Sequence, residues 1–227
     1  MKSLNEYFNN IYLINLDKRP DKLQESLYEL QKINTTAERI SAIDGSLTFK
    51  KGMNLTAGAY GLMLTHIQIL EDAIKNNYSS ILLLEDDVMF VDGFMEKFES
   101  KINFLPNDWD MFYLGGNNIF ELGTFIPVTG DLNVIINKHN YKQLNHELVK
   151  TTHTQTTHAV AINNKFLKTL FDYINNNSTL PVDNHQFLLQ KMGYNAYVIM
   201  PSIALQRPTF SDIERRYVDY SNMGHNF

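Results

Sequence analysis

The chain has 227 residues, 44% of them hydrophobic and 20% charged, so it can bury a substantial core and lacks the high-charge, low-aliphatic signature of disorder. A formal charge of −5 and a pI near 5.8 remove any electrostatic reason to seek nucleic acid or an anionic membrane. Cysteine is absent, which excludes a disulfide framework and a thiolate metal site and leaves oxygen and imidazole as the metal donors.

The run IYLINL (11–16) predicts a strand, closed by the charged turn DKRPD. Pro20 suits a first helical turn, and Leu23, Leu27, Leu30 and Ile33 recur at three- and four-residue steps, which predicts a helix over 20–33. ERISAID reads as a short strand stopped by Gly45. Residues 56–76 carry the strongest helical pattern: Thr56 can cap it, and Ala59, Leu62, Met63, His66, Ile67, Leu70, Ala73 and Ile74 trace one face. ILLLEDDV (81–88) follows as a strand, then a helix around 92–102, the strand DMFYLGG and a polar stretch with weak strand signals to about 150. The strand HAVAIN, the helix KFLKTLFDYI, a helix near 183–192 and the strand AYVIMPSIALQ complete the series. Strands alternating with helices predict one α/β domain on a mostly parallel sheet covered on both faces. No window approaches the roughly 18 apolar residues of a membrane span. The apolar stretch near the N-terminus is broken by Asn and Tyr, so a cytoplasmic location is expected.

ILLLEDDV runs four aliphatic side chains straight into three carboxylates. In an open α/β sheet, ligands bind beyond the carboxyl ends of the strands, which is where these acids fall. Alternation points Glu85 and Asp87 to one face and Asp86 to the other. Two oxygen donors on one face suit a hard dication, Mg2+ or Mn2+; the plain alternative is an acidic strand end solvated by water or paired with Lys and Arg. The D-x-D-x-T pattern of haloacid-dehalogenase-like phosphatases is not met, because Glu85 stands at the nucleophile position and Met89 replaces the hydroxyl residue.

Taken in order, IYLINLDKRPDK, AIDG, GAYGLMLTHIQILEDAI, ILLLEDDV, WDMFYLGG, THAVAIN, PVD, and a Gln followed shortly by SDIE resemble glycosyltransferase family 25 over about residues 11–215. That family contains lipooligosaccharide β-galactosyltransferases and collagen galactosyltransferases. The resemblance implies a GT-A-like, Rossmann-type sheet flanked by helices, with a donor half over about 1–115 and an acceptor half over about 116–227. It also implies inverting transfer of a hexose, usually galactose, from a UDP-sugar to a hydroxyl of a saccharide or glycosylated acceptor, with Mn2+ or Mg2+. One departure stands in the long helix, where the family reads close to G-x-x-G-C-x-x-S-H and this chain has Leu62 and Thr65 at the Cys and Ser positions.

By that resemblance Glu85 replaces the first acid of the metal-binding D-x-D, Asp87 ligates the metal, and Asp86 or Glu85 holds the ribose or a metal-bound water. Asn15, Leu16, Asp17 and Arg19 occupy the first βα turn, where the uridine lies. Arg19 can hold phosphate or stack on the base, or simply pair with Asp17 or Asp21. Asp44 and Gly45 are donor-binding candidates, although an Asp-Gly turn explains the dipeptide equally. Thr65 and His66 are further donor candidates, set against a hydrogen-bonded core histidine. Asp183, after Pro181, is the expected base for the acceptor hydroxyl and equally a helix N-cap. The extra metal ligand comes from among His153, His158, His185, Gln206 and His225, with Gln206 favoured by position. Arg207, Arg215 and Arg216 are diphosphate candidates, and Tyr113, Trp109 and the segment 117–150 candidates for the acceptor side. Two other readings of the chain are a binding module that has lost catalysis and an α/β domain whose acids only oppose aggregation.

Overall fold

The computed structural model describes residues 2–48, 55–130 and 135–220. Its elements in chain order are β1 (Asn10–Asn15), α1 (Pro20–Lys32), β2 (Glu38–Ser41), α2 (Gly45–Thr48), α3 (Ala57–Lys75), β3 (Ser80–Glu85), β4 (Val88–Phe90), α4 (Phe94–Ile102), β5 (Met111–Asn118), β6 (Phe125–Pro127), β7 (Glu147–Thr151), β8 (Thr154–Asn163), α5 (Asn164–Asn176), α6 (Val182–Lys191), β9 (Ala196–Met200), β10 (Ala204–Gln206), β11 (Thr209–Ser211) and β12 (Arg216–Val218).

Eight strands form one sheet in the order β2-β1-β3-β8-β5-β9-β7-β6. β1 lies parallel to β2 and β3, β5 parallel to β9, and only β8 and β7 run against the rest. The sheet is therefore mostly parallel, as the alternating pattern predicts. Alternation along the strands sorts the core. Tyr12, Ile14, Ile81, Leu83, Val160 and Ile162 pack with Met63, Ile69 and Leu70 of α3 and Phe166 and Leu170 of α5. Ile11, Leu13, Leu82, Leu84, Phe112 and Ala161 pack with Leu30 of α1 and Phe94 and Phe98 of α4. On α3 the buried stripe includes Thr65 and Ile69, whereas Ile74, expected on that face, is exposed.

Ile81 through Leu84 are wholly buried. At about 2 kcal/mol for each aliphatic side chain, their burial outweighs the several kcal/mol that charged groups at the strand end cost. The hydrophobic run thus forces the acids to the rim. There the carboxyl ends of β1, β3 and β5 meet the amino end of the antiparallel β8.

Four features depart from the sequence expectation or add to it. Gly45 opens the short helix α2 rather than only stopping a strand. AYVIMPSIALQ is two strands in different sheets, β9 in the main sheet and β10 paired with β4, separated by a segment containing a cis Met200–Pro201 bond. The segment after Gln206 folds back as the hairpin β11–β12. Asp183 is not the N-cap of α6, which is Pro181; it lies in the first helical turn. No helix among the described residues is long and apolar enough to cross a membrane.

Candidate active site

Two cavities open side by side at this rim. The first, about 410 Å³, is bounded by the β1–α1 turn, the β2–α2 turn, the start of α3, the acids after β3 and the hairpin. The second, about 470 Å³, lies between the start of α3, the ends of β5 and β8, the start of α6 and the hairpin. Leu62, Glu85, Asp87, Ser211 and Ile213 line both. The acid pair Glu85 and Asp87 is the partition between the two spaces.

Close backbone packing shapes the first cavity. A Cβ on Gly61 would lie 2.2 Å from Ile43 O, and one on Gly58 would lie 2.7 Å from Ile213 Cα. Without side chains at these positions, α3 approaches the β2–α2 turn on one side and the hairpin on the other. The Thr65 hydroxyl completes the first contact, donating to Gly61 O at 2.8 Å and accepting from Ile43 N–H at 2.9 Å. Thr56 caps α3 by accepting from Ala59 N–H at 3.1 Å.

The three acids sit in different environments. Asp86 turns toward α1, where Asn15 Nδ2 donates to it at 2.7 Å and Lys22 Nζ lies 3.5 Å away. Glu85 accepts from the Thr157 hydroxyl. Asp87 faces Gln206, whose Nε2 is 3.4 Å from Oδ2, because β10 pairs Gln206 with Val88. Burial and the charge of Asp87 push the Glu85 carboxyl well above its ordinary range, and burial raises Asp87 too. Lys22 and Arg207 pull Asp87 back down. A backbone outlier supports this wall: Thr156 has φ 72°, a conformation costly for a β-branched residue, and it holds Thr157 against Glu85 at the irregular end of β8.

The donor chemistry fits a hard dication. Asp87 Oδ1 and Gln206 Oε1 are buried oxygens without a hydrogen-bond partner among the described residues. Such orphaned acceptors are what an oxygen-ligated cation satisfies. No group of three His, Cys, Asp or Glu side chains stands ready to cage a metal among those residues. Asp87, Glu85 and Gln206 would therefore need substrate or water oxygens to complete a coordination shell.

Asn15, Leu16, Asp44, Gly45, Glu85, Asp86 and Asp87 are brought together around the first cavity. Asp44 is held near pKa 2 by Lys18, whose Nζ is 2.6 Å away, and by Ser46. Arg19 lines neither cavity: it pairs with Asp21 and Asp212, while Asp17 pairs with Arg39. Thr65 and His66 also lie behind the wall. His66 is fully buried with Nδ1 3.0 Å from Leu62 O, and burial holds its pKa down near 4. Asp183 lines the second cavity, separate from the first and joined to it through the shared acids. Burial raises its carboxyl, which makes it a stronger base.

His153, His158 and His185 line neither cavity, and His225 lies outside the described residues. Tyr113 is core, with its hydroxyl donating to Gln186 Oε1 at 2.9 Å, and Trp109 packs on the sheet face of α1 and α4, so neither acceptor candidate lines a cavity. Of the segment 117–150, only Asn117 lines the second cavity among the described residues.

Lys18, Lys22, Asp212, Gln155, Thr157 and Tyr220 line the cavities and were not singled out by the sequence reading. Lys22 offered one signal: a cation in a helix's first turn opposes the dipole and implies anions nearby, here Asp86 and Asp212. Among the arginines, Arg215 lines the first cavity. Arg207 is engaged by Glu25 and Asp86 O, and Arg216 by Glu214.

Residues 8–186 match the model of glycosyltransferase family 25, described as an LPS biosynthesis protein family, and the chain belongs to that family. Gln206, Arg215 and the hairpin fall beyond the matched residues. The inactive glycosyltransferase 25 family member 3 of Mus musculus is 25% identical over 191 residues, 73% of this chain and 32% of that protein. Procollagen galactosyltransferase 1-B of Xenopus laevis is 28% identical over 155 residues, 59% of this chain and 25% of that protein. The chain spans about a third or less of the length of these relatives. Among solved structures, a galactosyltransferase in complex with donor and acceptor sugar analogues is similar, with a TM-score of 0.44, 9% identity and 91% of each chain covered.

Proposed function

We propose that the protein is an inverting, metal-dependent glycosyltransferase that moves a hexose from a UDP-sugar to an acceptor hydroxyl. Galactose is favoured by the galactosyltransferase relative. The observation that carries the reading is the partition: Glu85 and Asp87 face both cavities, and Asp183 faces the second. A transferase needs this layout, because donor and acceptor must meet at one point while each is held separately.

In this reading the first cavity holds the nucleotide. Asp44 and the Asn15–Leu16 turn contact uridine or ribose, and Lys22 and Arg215 meet the diphosphate. Asp87, Glu85 and the Gln206 amide oxygen would hold Mn2+ or Mg2+, which when bound offsets the charge that develops on the leaving diphosphate. In the second cavity the Asp183 carboxylate accepts the proton of the acceptor hydroxyl. The acceptor oxygen forms a bond to the anomeric carbon, the bond from that carbon to the diphosphate oxygen breaks, and UDP leaves from the opposite face. Residues 1–115 supply most of the donor side, and the hairpin closes it.

A second reading is a nucleotide-sugar-binding module without turnover, favoured by the similarity to a relative named inactive. The intact acids Glu85, Asp86, Asp87 and Asp183 weigh against it. UDP release from UDP-galactose, UDP-glucose and UDP-N-acetylglucosamine, measured with Mn2+, separates the two. The transferase reading expects release above the denatured-protein blank from one preferred donor. Binding of UDP with no release from any donor would establish the second reading instead.

A further inference from the structure

The two cavities differ in charge. Lys18, Lys22 and Arg215 all line the first. Among the described residues no Lys, Arg or His lines the second, which carries Glu85, Asp87, Asp183 and Glu214. If a dication offsets Glu85 and Asp87, Asp183 and Glu214 remain. Glu214 is answered by Arg216 from outside the cavity, with Nε 2.7 Å from its Oε2, and by the hydroxyl of Tyr220, which lines it. Among the described residues Asp183 accepts from backbone N–H groups, that of Asn184 at 3.0 Å, and from no side chain. Its carboxylate is mostly buried and no cationic side chain lines the space it faces.

The other polar groups here are neutral; Thr56, Thr157, Gln206 and Tyr220 are engaged within the wall, and three amides are not. The side-chain amides of Asn117, Gln155 and Asn184 line the cavity and make no hydrogen bond among the described residues. Amides and carboxylates together offer donors and acceptors for the hydroxyls of a polyol. They offer nothing that would neutralise a second anion. A carboxylate or phosphate beside the reacting hydroxyl would be desolvated next to Asp183 with no cation to pair, and like charges brought together in this way cost several kcal/mol.

We infer that the second cavity takes an acceptor polyol without negative charge around its reacting hydroxyl and rejects the same sugar once it carries a carboxylate or phosphate there. The inference rests on the proposed transferase reading and adds the class of acceptor. The selection works by repulsion, which discriminates as effectively as a favourable contact.

The test compares one methyl glycoside in neutral, aminated, carboxylated and phosphorylated forms. Each is presented to the full chain with UDP and Mg2+, and binding is read by saturation-transfer NMR; transfer from the preferred UDP-sugar is measured in parallel. The neutral and aminated sugars are expected to bind at least about tenfold more tightly than the two anionic ones. Glu214→Gln is expected to narrow that ratio without changing UDP affinity. Anionic sugars binding as well as the neutral one, or no member of the panel binding, would overturn the inference. Including the aminated form separates charge from size, because rejection of every substituted sugar alike would also overturn it. UDP binding in the same samples distinguishes this failure from failure of the transferase reading, in which UDP itself would not bind.

Discussion

The two cavities share a wall and are assembled in opposite ways. The first is built largely from turns that each directly follow a strand: 15–18 after β1, 42–46 after β2 and 85–87 at the end of β3. The second gathers Thr56, Asn117, Gln155, Asp183, Gln206 and Tyr220, which the fold brings together from across the chain. A nucleotide needs a fixed pattern of backbone and carboxylate contacts, which short motifs at strand ends supply. An acceptor pocket needs only a shape and a charge, which scattered residues can supply. In the proposed division of labour, substitutions at the partition harm both sides, whereas those on one side spare the other.

The largest effect is expected at the partition. Asp87→Asn should lower transfer on the order of 10³-fold or more while leaving the apo fold at least as stable, since one of two facing carboxylates is removed. Activity assays and thermal unfolding check both halves, and near-normal turnover would break the comparison at its centre. Next, Asp183→Asn should lower kcat by about 10²- to 10³-fold with UDP affinity within about twofold of wild type. A matching loss of UDP binding would mean that the cavities are not separable.

The histidines supply a smaller test, of the support beneath the site rather than of the site itself. His66 on the buried face of α3 and His158 on β8 are both fully buried, and burial depresses each to about pKa 4. An unfolded histidine titrates near 6.5, so both are neutral in either state above that value. As pH falls from 6.5 toward 4, these two imidazoles gain protons only in the unfolded state, and their contribution lowers folding stability by up to about 3 kcal/mol per histidine. The raised carboxyls of Glu85, Asp87 and Asp183 act in the opposite sense over this range, so the check is the urea midpoint of wild type against His158→Gln at pH 7.5 and 4.5: the variant should lose less stability on acidification, and an equal loss in both would contradict it. The smallest effect is expected at Arg215. Arg215→Ala should weaken UDP binding about tenfold and uridine binding hardly at all, and calorimetry on the two ligands would expose an equal loss.

The difference between the cavities also explains what was legible in the sequence. IYLINL, the 56–76 helix and ILLLEDDV signal their structure by local periodicity and caps, and the elements found there agree to within a few residues. The acids at 85–87 announced themselves because an apolar strand cannot continue through three charges. Lys22 and Thr157 were not legible, since each matters through a contact with a residue distant in the chain, Asp86 and Glu85, and no window contains both partners; Tyr220 bonds the nearby Glu214, but its place on the cavity depends on the fold. For Arg19 the sequence left open a phosphate contact and a pair with Asp17 or Asp21; the pair with Asp21 forms, and the second partner, Asp212, is 193 residues away. Gln206 could be placed by order along the chain, but its proximity to Asp87 depends on the β4–β10 pairing, and β4 carries no sequence signal separate from the strand before it.

The most direct measurement is the calorimetric titration of UDP into the protein with Mn2+ and again with EDTA. The account predicts that UDP binds at least about tenfold more tightly with the metal, and that Asp87→Asn removes the difference. Equal UDP affinity in both conditions, or none in either, would contradict it.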